Sequence, residues 1–282
     1  MSAAVPMGEI FARRDHGPWR FLHRLNPLAL LAAVLPAMIA LVVIRELSAP
    51  LAFMVLALAC IALGAHVSPR WRALVFVGPP ALSVIIATSF GLWIDPSLVA
   101  DTPVLLRVGD WEYRLGAWLA GLGTGIRFGA ILALALVPGL AASGPDTVRA
   151  MVQVLRVPYR IGYTALATFR FVPRFASDLA TIRAAHRVRG MAGGRGPLAG
   201  LRRWLGYIVP LLAGALRHAE RVALAMESRA FGAYPTRTER IRVPWRRRDW
   251  VAIAVAWALT AAVLGTAQQL LGLPVPTIDK WS

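Results

Sequence analysis

Apolar and polar positions divide the chain into five long apolar runs and one basic stretch that interrupts them. The runs are Pro27 to Ile44, Pro50 to His66, Ala73 to Ile94, Gly116 to Ala142 and Asp249 to Leu271. Each is close to the length a helix needs to cross a bilayer. Arg45 and Glu46 mark a tight turn after the first run. Arg70 and Arg72 follow the second, with Trp71 between them as an interfacial anchor. Pro79-Pro80 predicts a kink in the third run, tolerable where neighbouring groups take up the freed carbonyls. Residues 95–115 hold Asp95, Asp101, Asp110 and Glu112 against Arg107 and Arg114, the most acidic part of the chain. There, Val104–Val108 and Trp111–Leu115, split by Gly109-Asp110, predict a small hairpin.

The fourth run has a finer pattern. Ala117, Gly121, Gly125, Gly129 and Ala133 recur at strict four-residue steps. Such a strip of small residues lets a second helix come close enough for dispersion contacts to hold it in lipid. That helix is expected to belong to the same chain, the other reading being a second subunit. Arg127 lies near the middle of the run, where a charge is costly and points into a bundle or toward a partner. It reads as a structural pairing or as a substrate contact.

The stretch from Ser143 to Arg248 has a different character. It carries 20 arginines against Asp146, Asp178, Glu220, Glu227 and Glu239, most of the whole chain's net charge of +17. A basic segment beside membrane spans is expected to be cytoplasmic. The same rule puts the N-terminus inside, because Arg13, Arg14, Arg20 and Arg24, with Trp19 and Phe21 between them, predict a short amphipathic segment at the membrane surface. Three parts follow: 1–142, the amphipathic segment and four spans; 143–248, the basic region; and 249–282, the last span and an external tail. Whether 159–171 and 204–216 also enter the membrane stays open. The fold class is all-α: a polytopic membrane protein with about five transmembrane helices and a cytoplasmic pair of long amphipathic helices.

That pair is read from two stripes. Phe175, Leu179, Ile182, His186 and Arg189 step by four and three, as do Leu212, Ala215, Ala219, Val222, Met226 and Arg229. Residues so spaced share one helical face. Pro173 and Pro210 stand where helices begin, and Gly190 and Gly232 where they end. Met191 to Gly200, Gly-rich with Pro197, reads as a flexible connection. Both stripes thus end on an arginine in a last turn. Such an arginine either complements the helix dipole and faces water, or is offered to a partner.

Composition narrows the chemistry. The chain has 282 residues, is 57% hydrophobic and has a mean hydropathy of +0.59, too apolar for an ordinary soluble domain. Met1 to Asn26 is polar and arginine-bearing, unlike a secretory signal. Cys60, the single cysteine, has no intrachain disulfide partner and no ligand companions. There is no Walker A loop, and the sole lysine, Lys280, is not placed to serve in one. Gly121, Gly123 and Gly125 do not make a dinucleotide fingerprint, since Ile126 and Phe128 stand where a third glycine is needed. No GxSxG occurs, and His16, His23, His66, His186 and His218 show no metal-ligand spacing, so each reads as a packed or interfacial histidine. The expectation is a chain that is no enzyme, with no catalytic, cofactor-binding or metal-binding residues.

Several segments resemble a known family. Arg170-Phe171-Val172-Pro173, Ala185-His186-Arg187-Val188-Arg189-Gly190 and Ala225-Met226-Glu227-Ser228-Arg229-Ala230-Phe231-Gly232 are similar to the transmembrane T component of energy-coupling factor (ECF) transporters. Ser143-Gly144-Pro145-Asp146 and Leu155-Arg156-Val157-Pro158 add to the likeness, which runs from the first span to the last. The resemblance implies a subunit of an ABC-type importer in the inner (cytoplasmic) membrane. In such an importer two cytosolic ATPases, which hold ATP-Mg, drive a small membrane protein (the S component) that captures a vitamin or metal ion. It implies that Arg189 and Arg229 dock into the two ATPases, flanked by Val188 and Gly190 and by Ser228 and Ala230. The second triplet reads Ser-Arg-Ala where Ala-Arg-Gly is commoner in that family, which puts its local helix end in doubt. Membrane lipid is the remaining partner, and nucleic acid is not expected. Two other readings are weighed. One is a stand-alone permease binding its substrate near Arg127. The other is a membrane-tethered nucleic-acid binder suggested by the arginines, although no recognised nucleic-acid module is present.

Overall fold

A computed structural model of the chain describes residues 21–43, 47–94, 99, 101–108, 111–190, 199–234 and 238–270. A short 3-10 turn, Phe21–Arg24, precedes α1 (Pro27–Val43), α2 (Ser48–Gly64) and α3 (Pro69–Gly91). Strands β1 (Val104–Val108) and β2 (Trp111–Arg114) form an antiparallel hairpin, and α4 (Leu115–Ala141) leaves it. Then come α5 (Gly144–Val154), α6 (Tyr159–Val188), α7 (Ala199–Glu227) and α8 (Arg247–Leu270). The expected amphipathic segment before residue 21, the Arg45-Glu46 turn, the 191–198 connection and the tail after 270 lie outside the described residues.

The chain is an all-α membrane protein in two compact units. One comprises 148–243; the other comprises, of the described residues, 21–147 and 244–270. The junction falls inside α5. In the second unit α4 packs against α1, α2 and α3, and α8 packs on α1 and α2. Phe53, Leu41 and Ile61 are fully buried there, in one cluster with Ala130, Ala133 and Val137 of α4. The outward residues are as apolar as the inward ones: Ile39, Val42, Val55, Leu63, Val77, Ile85, Val251 and Val255 are all exposed. Stretches 71–89, 115–141 and 247–266 are long and apolar enough to cross a membrane, and α1 and α2 are apolar helices of 17 residues. Helices α6 and α7 are not among those that meet this length and composition.

A bundle in lipid cannot gain stability by hiding leucine, since the hydrocarbon outside is equally apolar, so close packing has to hold it. Ala117, Gly121, Gly125, Gly129 and Ala133 are all buried in α4. The helix across this strip is α3 of the same chain. A Cβ on Gly125 would overlap the carbonyl oxygen of Ser83, and one on Gly129 would meet Ser83 Oγ and, at 2.8 Å, the Pro79 carbonyl. Ser83 is itself buried, and its hydroxyl turns back to donate to the Pro79 oxygen at 2.9 Å.

Prolines stand inside α1, α3, α4, α6 and α7. A proline lacks the N–H that would bond four residues back, so each orphans a carbonyl. For Pro36 that carbonyl is Ala32, and Trp257 of α8 donates its indole N–H to it at 3.0 Å. The helix break thus becomes a joint between the first and last helices of the bundle. Pro173 and Pro210 correct a sequence expectation in the same way. They lie within α6 and α7 rather than at their starts, because the apolar period runs through them on both sides.

A polar knot closes one end of this unit. Asp249 is fully buried, and its carboxylate accepts the Asn26 N–H at 2.8 Å and the Arg246 N–H at 2.7 Å. The second bond is one half of a capping box that starts α8. Arg248 donates to the Arg24 carbonyl. His23 bonds through Nδ1 to the Ala141 carbonyl at 3.1 Å and accepts the His66 N–H on Nε2 at 3.0 Å. Those bonds call for neutral imidazole with its proton on Nδ1.

Two outcomes test this packing. Gly125→Val forces a branched side chain into the Ser83 backbone and should lower the thermal midpoint of the purified chain in detergent by several degrees, a loss of about 2 kcal/mol or more. Trp257→Phe should cost about 1 kcal/mol by the same assay. That loss should shrink in a Pro36→Ala background, where the Ala32 carbonyl has its own helical partner.

Candidate functional site

The unit spanning 148–243 is built on a helical hairpin. Phe171 of α6 stacks on His218 of α7 with ring centroids 5.2 Å apart, while further along α6 His186 meets Tyr207, also at 5.2 Å. Rising numbers on one helix meet falling numbers on the other, so the pair is antiparallel. The Arg183 guanidinium sits over the Tyr207 ring at 5.7 Å. From α6, Phe175, Leu179, Ile182 and His186 are half-buried in this seam. From α7 the half-buried positions include Leu211, Ala215, His218, Val222 and Met226. This differs from the predicted stripe, in which Leu212 and Ala219 stood in place of Leu211 and His218. Both are exposed, Leu212 by 56%. The reason is that α7 has two adjoining apolar faces, one toward α6 and one through Leu205, Val209, Leu212 and Leu216. A helical period alone does not say which face meets the neighbour.

The first arginine turn closes α6. Arg189 caps the helix, its N–H bonded to the Ala185 carbonyl, and Gly190 follows at φ +68°. Val188, Arg189 and Gly190 are all exposed, Val188 by 89%. The second turn closes α7 in a Schellman motif. The Phe231 N–H reaches the Met226 carbonyl at 3.0 Å, and the Ala230 N–H reaches Glu227 at 2.9 Å. Its left-handed residue is Ala230, at φ +52°. Ser228, Arg229 and Ala230 are exposed, and Ser228 Oγ donates to the Ala225 carbonyl at 3.1 Å. The two triplets therefore share one backbone device, glycine serving it in the first and alanine, with strain, in the second.

Because the pair is antiparallel, the two arginines sit at opposite ends of it. His186, near the first, is level with Tyr207, and α7 runs on to Glu227. At 1.5 Å per residue the arginine turns are about 40 Å apart along the helix axis. The charge is uneven between these ends. After Asp178, which pairs with Arg174 at 3.9 Å, α6 has no acidic residue, and α7 has none before Glu220. The end with Arg183, Arg187 and Arg189 on α6 and Arg202 and Arg203 on α7 is thus purely cationic.

Arg127 lies half-buried in α4, in the other unit, and is not part of this arrangement. Among the described residues no group of three or more potential metal ligands occurs. Sequence reading missed the residues that hold the second turn in place. The segment after α7 is tied back to α5 and α6 by Phe231, Tyr159, Arg160, Tyr163 and Gln153. Tyr159 and Tyr163, one helical turn apart, were the available signal.

A lipid-suited helix bundle joined in one chain to an arginine-tipped helical hairpin defines a helical membrane protein with two exposed arginine turns. Comparison with known proteins agrees. Residues 19–239 match the family described as CbiQ, cobalt transport protein. An energy-coupling factor transporter transmembrane protein from Bacillus selenitireducens is 24% identical over 260 residues, 89% of this chain and 94% of the relative. Proteins of the same name from Streptococcus thermophilus and Limosilactobacillus fermentum are 28% and 34% identical, covering 48% and 36% of this chain. The matched stretch spans about half the length of the former and less of the latter, 52% and 39%. The chain belongs to this family and is a T component of an ECF transporter.

The strained alanine gives a local test. Ala230→Gly removes a side chain from a left-handed position and should stabilise the second turn by about 1 kcal/mol. Amide exchange at Ala230 and Phe231 should then slow about fivefold.

Proposed function

We propose that this chain is the coupling subunit of an ECF-type importer in the inner membrane. It passes the ATP-driven motion of two cytosolic ATPases to a substrate-capture membrane subunit that takes up a vitamin or metal ion. Arg189 and Arg229, each at an exposed helix end and about 40 Å apart, are the contacts, one for each ATPase. Guanidinium offers a rigid fork of donors suited to carboxylates and helix C-termini, and it stays charged at any physiological pH. Val188, Gly190, Ser228 and Ala230 shape the two turns.

In this reading ATP and Mg stay on the partner subunits, and the chain itself carries out no chemistry and binds no cofactor. Closure of the ATPases shifts the two fingertips, and the α6–α7 seam, packed through Phe171–His218 and His186–Tyr207, carries the shift as one body. Substrate choice rests with the capture subunit. The observation that carries the proposal is the pairing of two like turns, each with an exposed arginine before a left-handed residue, at the two ends of one packed hairpin.

Arg189→Glu and Arg229→Glu should each weaken co-purification of the ATPases and lower uptake. The double variant should abolish both while the chain still inserts into the membrane. Normal uptake by the double variant would refute the proposal.

A further inference from the structure

The segment that follows α7 doubles back onto the start of α6 and binds the Arg229 turn to it. Phe231 stands edge-on to Tyr159 and Tyr163, with ring centroids 5.7 and 6.0 Å away. Arg160 donates to the Gly232 carbonyl at 2.8 Å. Gly232 has φ +90°, and a Cβ there would stand 3.2 Å from the same guanidinium, so backbone conformation and space both call for glycine. The Tyr159 hydroxyl donates to the Tyr234 carbonyl at 2.8 Å, and Tyr163 donates to Glu239 at 3.0 Å. Further on, the Gln153 amide donates to the Ile241 carbonyl and accepts the Val243 N–H, at 2.9 and 2.8 Å. Gly162, buried one turn into α6, is where α5 comes close, since a Cβ on it would overlap Val152.

Among the described residues, the Val188–Gly190 turn is closed by its own backbone, through Arg189 to Ala185 and Gly190 to Arg187. Arg229 is fastened to the α5–α6 corner by aromatic packing and side-chain hydrogen bonds.

We propose that Tyr159, Arg160, Tyr163 and Phe231 form a clasp that fixes the Arg229 fingertip to the α5–α6 corner. Arg229 is thereby a fixed contact whose load passes straight to the α5–α6 corner. These are positioning residues, and the inference rests on the reading that Arg229 docks an ATPase. A rigid fingertip transmits displacement, whereas a loose one absorbs it in local motion. Removing the clasp should therefore loosen coupling without touching nucleotide binding.

The test uses the full chain assembled with its two ATPases and a capture subunit. Phe231→Ala should speed amide exchange over 228–234 about tenfold and leave 186–190 unchanged, since this half-buried aromatic cluster carries most of the local protection. Uptake should fall severalfold with the ATP KM unchanged, and Phe231→Tyr should restore both. Tyr159→Phe keeps the ring and drops one hydroxyl bond, so it should give a smaller acceleration in the same window even if the alanine variant folds poorly. Unchanged exchange over 228–234 in these variants would overturn the clasp. Normal assembly and uptake by Arg229→Glu would overturn the docking reading instead, and with it the purpose given to the clasp.

Discussion

Inside a bilayer a helix gains nothing by turning leucine away from its surroundings, and this constraint shapes everything else in the membrane unit. Cohesion has to come from backbone approach and from satisfied polar groups. The approach is supplied where α4 lays its strip of small residues against α3 at Ser83 and Pro79. Around that contact α1 and α2 gather, so the buried cluster joins Leu30, Leu41, Phe53 and Ile61 of these helices to Ala130, Ala133, Leu134 and Val137 of α4. The outward apolar side chains of α1, α2, α3 and α8 then need no partner from this chain, since they suit lipid.

Polar groups follow the same logic. Asp249 is surrounded by protein yet joined to two backbone donors, one at the start of α1 and one at the start of α8. The Trp257 indole fills the vacancy that Pro36 leaves in the α1 ladder. In water such a carbonyl would be solvated, whereas in hydrocarbon an orphan is expensive, so a proline in a span acts as a demand for a donor elsewhere.

The other unit meets a different demand. Its arginines are held at the ends of an antiparallel pair, where the last carbonyls of a helix favour positive charge. That preference alone would explain one exposed cation. It does not explain two turns with matching left-handed residues, one of them an alanine holding a conformation that glycine adopts without strain. Strain of this kind persists where the surroundings over-determine it, and here Phe231, immediately after the alanine, is gripped by Tyr159 and Tyr163.

Much of this protein was legible in the residues by themselves. Run lengths and the count of small residues in α4 predicted a helical membrane bundle, because hydrocarbon admits few solutions for a long apolar segment. The hairpin at 104–114 and the first arginine turn were equally plain, being written in local turn chemistry. Three things were decided only by the folded chain. Pro173 and Pro210 read as helix starts, and the observed helices run through them. Leu212 and Ala219 were placed in the seam, yet the face that meets α6 is the adjoining one. The clasp on Arg229 brings Tyr159 to Phe231 across more than sixty residues of chain. Local pattern specifies which elements form, since propensity and periodicity act over a few residues. Which apolar face is covered, and which distant side chains meet, depend on contacts formed after the helices exist, and no short-range signal encodes them.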